Sequence, residues 1–186
     1  MTARALTISE RSLAATMFGD AIDLDRVAIH RARWWPLQPK RALMAPDGAI
    51  WCHPGGGLYR DCYASDSLAM RALFLHEMTH VWQAQQRGRW YLPLMRHPFC
   101  RYAYAMKPGK AFARYGIEQQ AEIVADAFLL REGVPRPGKP GLDVYEAMLP
   151  FFPFAPLAAS LSEGKPLGER EGRSARLFPP HQRRDA

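Results

Sequence analysis

The segment His76, Glu77, Met78, Thr79, His80 constrains this 186-residue chain more than any other. It lies inside residues 67–87, a run without proline or glycine that follows the helix starters Ser65 and Asp66 and meets a natural stop at Gly88. The run predicts a helix. Residues four apart on a helix share a face, so His76 and His80 point the same way and can hold one metal ion. Ala69, Leu73, His76, His80 and Gln83 form one stripe, and two imidazoles in so apolar a setting require partners. Glu77 sits one step round the helix, where it can act on a water molecule rather than on the metal.

A pair of imidazoles spaced in this way, with a glutamate between them, is the ligand set of zinc sites that keep one coordination position open. Such a site takes a third protein ligand. A glycine three residues and a histidine six residues beyond His80 would supply it locally, but Gln83 and Gln86 occupy those positions. The remaining source is a carboxylate from another helix. Residues 117–131 predict one: Gly116 precedes it, Glu118 sits in its first turn, and Arg131 and Gly133 close it. Glu118, Glu122 and Asp126 fall at successive turns of one face. A carboxylate facing two histidines supplies the charge a divalent metal requires, and a second one a turn later can accept the other ring N–H of a histidine and fix its tautomer. Glu122 is assigned as third ligand and Asp126 as the orienting group, since Ala121, Val124 and Ala125 surround them with small apolar residues; Glu118 remains the alternative ligand.

Glu122, Ala125, Asp126 and Phe128 spell E-x-x-A-D-x-F some forty residues after H-E-x-x-H, which resembles the small gluzincin pattern. Upstream, residues 25–30 form a short strand ending in His30, residues 49–53 a second ending in His53, and Gln83 stands three residues after His80. That layout is similar to the zincin-like domain found with extracellular contractile injection systems and to bacterial Vgr-related proteins. The resemblance covers residues 20–132. It implies an α+β, zincin-like fold, with a short antiparallel or mixed sheet packed on the H-E-x-x-H helix and on a second ligand-bearing helix. It also implies Zn2+ as the metal, a peptide or protein substrate paired along residues 49–53 as an edge strand, and association with a secretion machine.

The chain is long enough to bury one sizeable core, with 48% hydrophobic and 23% charged residues. No apolar stretch reaches the roughly twenty residues that span a bilayer, and no signal-peptide core is evident, so a cytoplasmic start is expected, with export by a secretion machine as the route out. Cys52, Cys62 and Cys100 lack metal-site or disulfide spacing and are expected as free thiols, with Cys52 a candidate neighbour of the metal. Residues 8–18 predict a helix, and two or three short strands are expected between residues 22 and 53. Residues 54–57 are expected as a rim or hinge loop. One domain is expected over residues 1–162, with a capping segment at 142–161 and a disordered basic tail from 163 to 186.

From Gly88 to Ile117 there is no acidic residue, while six cations alternate with aromatic residues, and most of the net charge of +7 collects there. Basic residues among aromatics suit single-stranded nucleic acid, and they equally suit the wall of a peptidase cleft. A hydrolase also needs a donor for the developing oxyanion. Tyr115, at the entry of the second helix, is the first choice, with Tyr102, Tyr104 and His97 open. The expectation is a zinc metallopeptidase with Glu77 as general base and His76, His80 and Glu122 on the metal. The alternatives are a non-catalytic accessory or effector protein of a contractile injection or type VI secretion system, and a basic nucleic-acid-binding protein, for which nucleic acid is the less favoured partner.

Overall fold

The N-terminal strand, β1 (Ala3–Ala5), is not announced by its composition, yet it sets the edge of the sheet. It pairs antiparallel with β2 (Ala28–His30), which runs parallel to β4 (Ile50–Cys52); β3 (Leu43–Met44) pairs antiparallel with β4, giving the order β1-β2-β4-β3. The computed structural model describes residues 3–95 and 101–151, all within one compact unit, Met1–Pro156. His97, Cys100, most of the capping segment and the basic tail lie outside the described residues.

The fold is α+β, with a small mixed sheet and several helices. Between β1 and β2 lies α1 (Ile8–Phe18), started by a reciprocal cap in which Thr7 and Glu10 each bond the other's backbone N–H. Glu10 is fully buried and also accepts from Arg4 and from the Tyr63 amide, so one carboxylate ties β1, α1 and the turn before the central helix together. That central helix, α2 (Leu68–Arg87), starts at Ser67, two residues later than the Ser65 signal, and ends at Gly88, whose φ of 92° a side chain would resist. It is followed by a short helix, α3 (Tyr91–Met95).

Helix α4 (Ile117–Arg131) packs along α2, and α5 (Leu142–Met148) packs on α4. Both long helices are buried on nearly every side: in α2 from Phe74 to Val81, and in α4 from Gln120 to Leu129. A polar group on either therefore faces protein, which makes the placement of His76, His80 and the α4 acids decisive.

One expectation changes here. Residues 49–53 do not offer an edge, because β3 covers one side of β4 and β2 the other. In the loop at 54–57, Pro54, Gly55 and Gly57 are exposed, while Gly56 is tightly held: a Cβ there would lie 1.7 Å from the Lys40 carbonyl oxygen. No helix among the described residues is long and apolar enough to cross a membrane.

Candidate metal centre

His76 and His80 project from α2 toward the first turns of α4. The Nε2 atoms of both approach one oxygen of Glu118, Oε2, at 3.4 and 3.2 Å. In tetrahedral coordination with metal–ligand distances near 2.0–2.1 Å, neighbouring ligand atoms stand about 3.3 Å apart, so these spacings fit two edges of such a site. One ligand atom from each of His76, His80 and Glu118 lies within 4.8 Å of the others, and all three residues are buried.

The second nitrogen of each ring is assigned by its neighbours. His80 Nδ1–H donates to Gln83 Oε1 at 2.8 Å. The amide of Gln83 is oriented unambiguously, since its Nε2 meets two acceptors, the Ile117 carbonyl at 3.1 Å and Gln120 Oε1 at 2.8 Å. Nε2 is thus the His80 nitrogen turned toward the ligand group, 3.2 Å from Glu118 Oε2. His76 Nδ1 stands 3.3 Å from Glu122 Oε1, a charge contact that turns its Nε2 toward Glu118. Burial opposes a charge on His76, but Glu118 and Glu122 outweigh it and push its pKa up to about 10.

The acids of α4 thus stand one turn away from their expected places. Glu118 meets the two Nε2 atoms, and Glu122, expected there, meets the other nitrogen of His76. Asp126, expected at a histidine, accepts from the Tyr104 hydroxyl at 2.5 Å and pairs with Arg136 at 2.6 Å. Glu77 is buried beside the ligands, and its Oε2 has no hydrogen-bond partner among the described residues. Its charge reaches Cys52 and Tyr63, two groups whose pKa values are pushed up mainly by burial. Cys52 bonds Tyr63 at 3.3 Å and is not part of the ligand group.

Tyr115 is not brought to this group. Its hydroxyl accepts from the Lys107 amide at 3.2 Å and approaches the Ala105 carbonyl at 3.4 Å, which occupies it with backbone. Tyr102 takes the place beside the histidines: its ring lies nearly parallel to that of His76, with centroids 6.2 Å apart. Away from the ligands, Arg101, Lys107, Lys110 and Tyr115 line an open cavity of about 330 Å3. Gln83 is the residue to which sequence reasoning gave no role; its position three residues after His80, on the same face, is the signal that marks it.

An α+β fold with two buried helices that bring two histidines and a glutamate onto one point defines a class of protein with a preformed candidate metal site. No protein-family model matches the chain. Among solved structures it is similar to the effector domain of Pseudomonas aeruginosa VgrG2b, with a TM-score of 0.63 and 34% identity over 78% of this chain and 82% of that one. It is also 41% identical over 133 residues to the type VI secretion system spike protein VgrG2b of Pseudomonas aeruginosa. That match takes in 68% of this chain but spans 13% of the spike protein's length. The chain belongs to the family of the VgrG2b effector domain.

Proposed function

We propose that this chain is an effector module of a type VI secretion machine and that it hydrolyses peptide bonds with zinc held by His76, His80 and Glu118. The observation that carries the reading is the convergence of both Nε2 atoms of an H-E-x-x-H helix on one Glu118 oxygen, in a chain related to an effector domain. The kinship favours an effector over a free-standing peptidase and over a nucleic-acid-binding protein. The two-helix arrangement supports a zincin-like description of the fold.

The donor set of two imidazoles and one carboxylate fits zinc, and the buried, unpartnered Glu77 oxygen fits a site built around a further group. A zinc ion so held supplies Lewis acidity toward a carbonyl and lowers the pKa of a water molecule bound to it. The protein's own residues do the rest. Gln83 and Glu122 hold the two rings with Nε2 toward the ligand group. Glu77 takes the proton of the attacking water and returns it to the leaving amine. Tyr102, beside His76, replaces Tyr115 as the donor for the developing oxyanion.

Zinc-loaded protein incubated with unfolded proteins and peptide libraries tests this, with cleavage read by mass spectrometry. The wild type is expected to cut, and Glu77→Gln to keep its zinc while losing activity by a factor of about 10²–10⁴. No cleavage by zinc-loaded wild type across these substrates would overturn the hydrolytic part and leave a non-hydrolytic effector.

A further inference from the structure

The candidate metal centre is closed. His76, Glu77, His80 and Glu118 are 4%, 4%, 3% and 1% exposed, so neither a metal ion nor a peptide reaches them without movement of something that covers them. Residues 101–106, which place Tyr102 on the His76 ring, form part of that cover. This segment has no regular secondary structure, and among the described residues no backbone–backbone hydrogen bond holds it. Side chains hold it instead. Gln119 of α4 donates to the Ala103 carbonyl at 2.8 Å, and the strongest tie lies at Tyr104.

The Tyr104 hydroxyl donates to Asp126 and shares a 2.7 Å contact with the Tyr145 hydroxyl of α5. Asp126 is 2% exposed and is neutralised by Arg136 at 2.6 Å and Lys139 at 3.8 Å, both from the turn that follows α4. Lys139 also donates to the Tyr104 carbonyl at 3.1 Å and sits 3.3 Å from the centre of its ring. A buried carboxylate with a tyrosine and two cations is stable only while its partners stay in place, so it holds the segment in one position or releases it.

We propose that Asp126 and Tyr104 form a latch that fastens residues 101–106 over the metal centre, and that metal and substrate enter when this latch opens. Asp126 is then a positioning residue for the cover, two helical turns from Glu118, and does not orient a ligand histidine. The inference rests on reading His76, His80 and Glu118 as the metal site, and its test separates the two.

Tyr104→Phe removes the hydroxyl and keeps the ring. Zinc-loaded Tyr104→Phe is expected to bind the same amount of zinc as wild type but to lose it to a chromogenic chelator about tenfold faster, the factor that follows from one lost hydrogen bond to a buried carboxylate. Hydrogen exchange of the metal-free proteins should show faster exchange confined to residues 101–106, with α2 and α4 as protected as in wild type. Unchanged exchange at 101–106 together with an unchanged extraction rate overturns the latch. So does faster exchange spread equally over α2 and α4, which marks a merely structural role, or a fall in zinc content, which places the pair with the ligands. If wild type takes up no zinc, the metal reading falls and the exchange pattern alone decides the latch. Asp126→Asn, should it fold, is expected to repeat the Tyr104→Phe result.

Discussion

At Gln83 a single amide decides which nitrogen of His80 faces the ligand group. Because its Nε2 is committed to two carbonyl-type acceptors, its oxygen receives the Nδ1 proton of His80, and Nε2 is the nitrogen turned toward the ligand group. Groups that orient a ligand histidine typically contribute a factor of about 10–100 in metal affinity. Gln83→Met, which keeps the volume and removes the acceptor, should weaken zinc binding by about that factor in a chelator competition titration, with one zinc still bound at saturation. Unchanged affinity would show that the tautomer is fixed by other means. The residue scale also shows where the sequence runs out. Glu118, Glu122 and Asp126 share one face of α4, and four residues of helix advance about 6 Å. Which of them meets the Nε2 atoms depends on how far α4 slides along α2, and no local pattern encodes that offset. Reasoning from small apolar neighbours chose the turn after the one the packing uses. The same limit applies to the tyrosines: Tyr115 is close to Glu118 in sequence, but its hydroxyl is taken by the backbone at residues 105–107.

Among the elements, the helices that carry the site are the most legible, since caps and glycines mark their ends: α4 begins after Gly116, and α2 stops at Gly88. The sheet is less so. Strand β1 has three residues and no branched or aromatic side chain, and β3 has two residues, so neither signals itself, and the pairing of β3 moves β4 from an edge to the interior. What fastens β1 is the Arg4 to Glu10 pair, with Glu10 also accepting from Thr7 and Tyr63 amides. Glu10→Ala leaves Arg4 without its counter-charge and should destabilise the fold by about 3 kcal/mol, as breaking a buried pair does. The pH dependence has a definite sign. Burial alone would raise the Glu10 carboxyl, but the hydrogen bonds from Arg4, Tyr63 and Thr7 prevail and hold it below the usual 4.5. Its stabilising contribution is therefore fully present above pH 4.5 and is lost as pH falls through the depressed native value. Urea unfolding of wild type and Glu10→Ala at pH 7 and at successively lower pH should show the gap between them closing on the acid side. A gap that stays constant with pH would mean that Glu10 acts through packing alone.

Taken whole, the molecule places two helices, buried nearly all round, against each other and lets polar groups into that contact mainly where they meet one another. Buried histidines, carboxylates and glutamine there would be a liability in an ordinary core. They become coherent if a cation completes the group, and the carboxylates of Glu118 and Glu122, which push the His76 pKa up, favour positive charge at that point. The most direct test of this account is the zinc content of purified wild type, Glu118→Ala and Glu122→Ala, measured by elemental analysis. Wild type should hold about one zinc per chain, Glu118→Ala almost none, and Glu122→Ala close to one at saturating zinc with weaker affinity. Loss of zinc in Glu122→Ala with retention in Glu118→Ala, or no zinc in the wild type, would contradict it.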